Sequence, residues 1–125
     1  MRDRAQGQAA DRRGRWAEFL CVVRLWLTGW TVLEHRLRPG RGVGAGEIDI
    51  VAQRGRTLAF IEVKARPDAE TALTAVSPVQ QARLTRAAEA YLARRPQLAE
   101  LELRFDVMIV AGTWWPRRIV DAWRS

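Results

Sequence analysis

The chain has 125 residues, 48% of them hydrophobic, and its 21 basic and 14 acidic residues give a formal net charge of +7. This length allows one hydrophobic core but not two, and the regular apolar runs exclude a disordered chain. The single cysteine, Cys21, excludes an internal disulfide and indicates a reducing compartment, which we expect to be the cytoplasm. The positive charge favours a polyanionic partner, most simply DNA, although a basic protein without such a partner could share this composition.

The chain begins with an arginine-rich segment, residues 1–14, that shows no apolar periodicity. We predict a mobile basic arm here that attracts phosphates non-specifically, followed by one folded domain at residues 15–125. The domain opens with a helix at residues 16–27, ended by Gly29, and this helix is apolar on most sides. It is therefore either deeply packed or part of a contact surface. Glu18 and Arg24 interrupt the apolar run, so no membrane segment is predicted.

A first strand is predicted at residues 30–38, followed by a glycine-rich loop at residues 39–46. The spacing of these glycines matches neither a P-loop nor a dinucleotide-binding loop, so the loop is not predicted to cradle phosphate. Arg38 and Arg41 are nevertheless available to a polyanion, and we assign them to nucleic-acid binding. His35 has no Cys or His partner nearby in the sequence, which favours a structural or surface role.

Two β-rich runs then surround a glycine-containing turn, which predicts a β-hairpin. The first run is Gly46-Glu47-Ile48-Asp49-Ile50-Val51-Ala52, and the second is Thr57-Leu58-Ala59-Phe60-Ile61-Glu62-Val63-Lys64. A turn with an even number of residues places Asp49 on the same face as Glu62 and Lys64, whereas a slip of one residue would send it to the other face. The hairpin therefore brings together two carboxylates and one ammonium among apolar neighbours.

This set of charges has two interpretations. Two carboxylates and one lysine leave a surplus negative charge, and a divalent cation such as Mg²⁺ or Mn²⁺ would complement it. The alternative is a cross-strand salt bridge of Asp49 or Glu62 with Lys64, which would be neutral to stability. Lys64 is the only lysine beside twenty arginines. A lysine has a compact ammonium whose pKa shifts readily, and it can do chemistry that a guanidinium cannot. The presence of this one lysine in a chain that otherwise uses arginine therefore favours a functional site.

A second helix is predicted from Ser77 to Arg95, with Ser77 as N-cap and Gln80 closing a capping box. Gln81 faces inward at the start of this helix, near the end of the Glu62-Val63-Lys64 strand, either as a site residue or as an ordinary polar residue at a helix edge. Arg83 lies off the apolar stripe, in solvent or facing phosphate. The predicted buried stripe is Leu84, Ala87, Ala88, Tyr91 and Leu92.

A fourth strand is predicted at residues 103–110 and a short edge strand near residues 119–122. The resulting order, α-β-β-β-α-β-β, is that of a mixed α/β domain. We predict that Asp106 is a structural partner of a nearby arginine. Trp114 and Trp115 are predicted to plug the core, with stacking on unpaired bases as the alternative.

The Gly46–Ala52 run and the Phe60–Arg66 run resemble the core motif of the YraN family of bacterial proteins, and the similarity extends from about Gly14 to the end of the chain. The resemblance implies a restriction-endonuclease-like fold of the PD-(D/E)xK type, similar to archaeal Holliday junction resolvases. It also implies that Glu18 points to the hairpin as an additional carboxylate, whereas its residue type alone favours a solvated side chain. Gln80 departs from the basic residue expected in many relatives, which puts a phosphate contact there in doubt.

The prediction is a metal-dependent nuclease acting on DNA, and the alternative is a non-catalytic DNA-binding or adaptor module. The predicted metal ligands for Mg²⁺ or Mn²⁺ are Asp49, Glu62 and Glu18, with Lys64 and Gln81 completing the catalytic set. The predicted nucleic-acid contacts are Arg38, Arg41, Arg66 and Arg83. A homodimer is compatible with these features, and no membrane partner is expected.

Overall fold

The computed structural model describes residues 4–37, 47–66, 76–111 and 116–123, with side chains omitted at residues 4–13, 66, 111 and 121. Within these ranges the elements are α1 (Arg4–Leu27), β1 (Thr31–Leu37), β2 (Ile48–Arg54), β3 (Thr57–Arg66), α2 (Pro78–Ala93), a 3₁₀ turn (Pro96–Leu98), β4 (Glu102–Ala111) and β5 (Arg117–Trp123). The predicted α-β-β-β-α-β-β order is confirmed.

The strands of the described residues form one mixed sheet in the order β1-β2-β3-β4-β5. The central strands β3 and β4 run parallel, and the other three pairs are antiparallel. Because parallel neighbours need a crossover, the chain leaves β3, passes through α2 and returns to β4. Helix α1 contributes to the core on one face of the sheet and α2 to the core on the other, so the central strands are buried on both sides.

The β2–β3 hairpin has a two-residue turn, with Arg54 paired to Thr57 and Ile50 paired to Ile61. Gly55 occupies the first turn position with φ +58, a left-handed conformation that glycine adopts without a steric penalty. The even-numbered turn confirms the predicted register. It sets which side chains of the two strands share a face.

Helix α1 is longer than predicted, and the structure decides which of its apolar sides is buried. It begins at Arg4, so the predicted arm at residues 1–14 has helical backbone from that point, and its mobility stays a prediction. The residues that contact the core are Ala17, Cys21 and Leu25, whereas Trp16 and Trp26 are exposed. Of the two roles left open for this helix, the structure therefore supports a contact surface. None of the described helices is long and apolar enough to cross a membrane.

Helix α2 follows the prediction closely. The Ser77 hydroxyl accepts a hydrogen bond from the Gln80 backbone N–H, and Pro78 occupies the first helical turn. The helix ends at Ala93, slightly before the predicted end at Arg95. The buried residues of this helix are Leu84, Ala87, Ala88 and Tyr91, and Leu92, predicted in the same stripe, is only partly buried. Trp114 and Trp115 lie outside the described residues.

Candidate active site

The hairpin brings Asp49, Glu62 and Lys64 to one face of the sheet. The pairing of Ile50 with Ile61 sets Asp49 opposite Glu62, and Lys64 follows Glu62 by two residues on the same strand. The Lys64 ammonium Nζ lies 3.1 Å from Glu62 Oε1. The Val63 backbone N–H donates to Asp49 Oδ2 at 2.8 Å, which attaches the Asp49 carboxylate to the neighbouring strand.

These charged groups are largely removed from water. Glu62 is 6% exposed, and the Lys64 side chain is 11% exposed. Burial, together with the negative charge of Glu62, raises the pKa of Asp49 to about 8. Burial also raises the pKa of Glu62, against the opposing effect of the Lys64 ammonium. Both carboxyl groups therefore resist ionisation, chiefly because burial penalises their charged forms.

The two oxygens of the Glu62 carboxylate have different surroundings. Oε1 contacts the Lys64 ammonium and also accepts a hydrogen bond of 3.3 Å from Gln80 Nε2. Oε2 is buried and accepts no hydrogen bond from an N–H group of the described residues, and the nearest polar group on that side is the Asp49 carboxyl, which lowers the pKa of Glu62 through a side-chain hydrogen bond. A buried carboxylate oxygen without an N–H donor is costly, so a cation is the natural complement of this atom. The salt bridge considered as the alternative does form, between Glu62 and Lys64, but it leaves Oε2 and Asp49 without a positive charge.

The donor set at this point fits a hard divalent cation. Asp49 and Glu62 offer carboxylate oxygens, and Mg²⁺ typically takes one or two carboxylates and keeps several waters. Within the described ranges no three His, Cys, Asp or Glu side chains are grouped closely enough to hold an ion by themselves. The residues that would hold a cation are therefore Asp49 and Glu62, and water or phosphate oxygens would complete its shell.

Glu18 is near this site, but its carboxylate is engaged with strand β1. Glu18 Oε2 accepts a hydrogen bond from Arg36 Nε at 2.7 Å and lies 3.1 Å from His35 Nε2. Consecutive strand residues normally point to opposite faces, and Arg36 adopts a left-handed φ of 57 that lets both side chains reach one carboxylate. The negative charge of Glu18 still contributes to the raised pKa of Asp49. The structure does not group Glu18 with Asp49 and Glu62 as a third ligand.

At the start of α2, the residue that reaches the site is Gln80. Its side chain donates to Glu62 Oε1, whereas the side-chain amide of Gln81 donates to the Val76 carbonyl at 3.3 Å. The structure thus places Gln80 rather than Gln81 beside Glu62, and the assignment of Gln81 to the site stays a prediction. The sequence held one signal that position 80 belongs to the site: Gln80 stands where a basic residue is expected in many relatives. The predicted capping box obscured it, because that motif explains a glutamine at this position without any site.

Of the four arginines predicted to contact nucleic acid, Arg83 is the one whose side chain falls within the described part of the chain. Arg83 is exposed on α2. Arg38, Arg41 and the side chain of Arg66 lie outside the described residues. Their assignment to nucleic-acid binding stays a prediction.

Asp106 is a structural carboxylate, as predicted. It is fully buried and accepts hydrogen bonds from Arg104 and Arg118, including two of 3.0 Å from Arg104. The guanidinium of Arg118 lies 4.3 Å from the ring centre of Trp30, and that of Arg104 lies 5.4 Å away. The Asp106 carboxylate is thus occupied by two guanidinium groups that also stack on a buried indole.

Comparison with known proteins finds one family. The model of the uncharacterised protein family UPF0102 matches residues 17–110. The chain is 50% identical to the UPF0102 protein amb4503 of Paramagnetospirillum magneticum over 94% of the chain and 91% of that protein. It is 49% identical to a UPF0102 protein of Parvibaculum lavamentivorans, over 96% of the chain and 87% of that protein. The matched residues include both strands of the hairpin and the start of α2.

Proposed function

The chain belongs to the uncharacterised protein family UPF0102, the YraN family, and we propose that it is a metal-dependent nuclease that hydrolyses phosphodiester bonds in DNA. The observation that supports this proposal best is the buried Glu62 Oε2, which accepts no hydrogen bond from an N–H group of the described residues although Oε1 of the same carboxylate contacts two such donors. An adaptor has no use for such an atom, and a nuclease needs a cation at this position.

The side chains divide the chemistry between them. Asp49 and Glu62 would hold Mg²⁺ or Mn²⁺, which when bound lowers the pKa of a water molecule and neutralises charge on the phosphate. Lys64 presents a compact ammonium beside the same carboxylate, where it orients the attacking water and stabilises the pentavalent phosphate. Gln80 fixes the Glu62 carboxylate through Oε1, and the Val63 N–H fixes that of Asp49. Both carboxylates are therefore held in place before any ligand arrives.

The rival function is a non-catalytic DNA-binding or adaptor module. Two observations favour it: the described residues hold no three-acid cluster, and a neutral glutamine stands at position 80. A net charge of +7 supports DNA binding under either function.

A divalent-metal titration against a panel of branched and linear DNAs tests the proposal. Wild type should cleave at least one DNA only when Mg²⁺ or Mn²⁺ is present, and Asp49→Ala should abolish that cleavage. Glu89→Gln is the matched control, because it removes an exposed carboxylate on α2 outside the site. If wild type cleaves no substrate with either metal, the adaptor function is preferred, and equal cleavage by Asp49→Ala would show that the cleavage does not arise at this site.

A further inference from the structure

Helix α1 exposes a row of large apolar side chains on the side away from the sheet. Trp16 and Phe19 are each 55% exposed, Trp26 is 74% exposed and Leu27 is 67% exposed. Trp16 and Phe19 stack on each other, with ring centres 5.6 Å apart. We call these four residues the α1 apolar face. A contiguous apolar surface of this kind on a soluble domain marks a contact site.

The charge beside the α1 apolar face indicates what binds there. An open groove of about 460 Å³ runs along its edge, lined by Arg15, Phe19, Val22, His35 and Arg36. A second copy of the chain would bring this basic groove and a net charge of +7 against an equal charge, which opposes association. A polyanion that also offers apolar rings complements both the positive charge along the groove, where Arg36 also pairs with Glu18, and the aromatic side chains beside it. Nucleic acid with unpaired bases has this chemistry, and a duplex does not, because its bases are hidden in the stack.

Glu18 connects the groove to helix α1 and to the core beneath it. The groove residues His35 and Arg36 both contact Glu18, which lies on α1 one turn from the buried Cys21. Cys21 belongs to the same core cluster as Ile50, the residue that follows Asp49. Ile50 and Asp49 are consecutive on β2 and point to opposite faces, so the core beneath α1 does not itself place the groove over the two carboxylates.

We propose that the α1 apolar face and its groove bind an unpaired strand of nucleic acid, with bases stacked on Trp16 and Phe19 and phosphates near Arg15 and Arg36. This inference rests on the proposed nuclease function for the role of the bound strand, and it names the substrate class as single-stranded DNA or single-stranded segments of branched DNA. Aromatic stacking tolerates any base, so no sequence preference accompanies it.

Fluorescence anisotropy with one labelled oligonucleotide, single-stranded or annealed to its complement, tests the inference. EDTA is present throughout, so binding is measured without cleavage. Wild type should bind the single strand more tightly than the duplex. The double variant Trp16→Gln/Phe19→Gln should lose roughly tenfold or more in affinity for the single strand, with little change for the duplex. Val79→Gln, which replaces a side chain 63% exposed on α2, is the matched control and should bind as wild type does.

Several results would overturn the inference. Equal affinity of wild type for single strand and duplex excludes selection by stacking, and so does an equal loss on both DNAs in the double variant. Unchanged DNA binding in the double variant, together with loss of a dimer in sedimentation or of binding to anionic vesicles, would assign the face to a second copy or to a lipid surface. The nuclease function is tested separately. If it is wrong, no DNA is cleaved in the presence of metal, whatever the anisotropy shows about strand binding.

Discussion

Asp49 accepts a hydrogen bond of 2.8 Å from the backbone N–H of Val63, the residue between Glu62 and Lys64. This bond joins the carboxylate of one strand to the Glu-x-Lys segment of the next, so the acidic and basic parts of the site cannot separate without breaking the hairpin. It also offsets only part of the cost of burying Asp49, whose pKa is raised to about 8.

The first prediction concerns the stability of the metal-free protein. The pKa of Asp49 is raised from its ordinary value of 3.8 to about 8, chiefly by burial, so between these values the folded state binds more protons than the unfolded state. Stability should therefore fall as pH rises from 4 to 8. Asp49→Asn keeps an acceptor for the Val63 N–H and removes the charge. It should stabilise the protein in EDTA by roughly 1–3 kcal/mol at pH 8, and by less at pH 5.

Urea unfolding of both proteins at the two pH values measures this difference. An Asp49→Asn variant that is less stable than wild type at pH 8 in EDTA would show that the buried charge is compensated within the protein.

The second prediction concerns metal binding. Mg²⁺ or Mn²⁺ should raise the melting temperature of wild type, because a ligand that binds only the folded state stabilises it. The increase should be larger at pH 8 than at pH 6, since the ion competes with the proton on Asp49. Thermal unfolding with increasing metal measures the shift, with Glu89→Gln as a control that should respond like wild type. A metal-induced shift that persists in Asp49→Asn would place the ion elsewhere.

The third prediction concerns the lysine. Lys64→Arg keeps a positive charge beside Glu62 but puts a bulkier group in a largely buried position, so stability should fall by roughly 1–3 kcal/mol while DNA binding persists. Cleavage should fall by about 100-fold, because the bulkier guanidinium cannot occupy the same point beside water and phosphate. Single-turnover cleavage assays and anisotropy separate the two effects. Full metal-dependent cleavage by Lys64→Arg would make the lysine incidental.

The fourth prediction separates the two glutamines of α2. Gln80→Ala removes the donor to Glu62 Oε1 and should reduce cleavage about tenfold, whereas Gln81→Ala removes a bond to the Val76 carbonyl and should leave the rate near that of wild type. The two variants are matched in residue type, size and position on the helix. A larger loss in Gln81→Ala than in Gln80→Ala would support Gln81 as the site residue.

The fifth prediction concerns Asp106, which is buried but lies outside the site. Asp106→Asn leaves two partly buried guanidinium groups without a counter-charge and should destabilise the protein by about 3–5 kcal/mol. The metal-induced shift in melting temperature should persist, because Asp49 and Glu62 are intact. Loss of that shift in a variant that remains folded at the assay temperature would link the Asp106 cluster to the site.

The sequence alone determined the hairpin and the grouping of its charges. Asp49, Glu62 and Lys64 share a face because strand side chains alternate with a period of two, and the parity of a short turn decides the register. The start of α2 could also be predicted from the sequence, because the N-cap residue Ser77 and the following Pro78 mark it locally. These features depend on local geometry, which the order of residues specifies directly.

Only the tertiary structure decided what α1 buries and what Glu18 contacts. A helix that is apolar on most sides has no preferred inward face by spacing, so packing against the sheet selected Ala17, Cys21 and Leu25 and left Trp16 and Trp26 in solvent. Arg36, whose backbone is left-handed, donates a hydrogen bond to Glu18, so the Glu18 carboxylate contacts β1. Likewise, the choice between Gln80 and Gln81 depended on where α2 meets β3 across a crossover, a distance that local sequence does not encode.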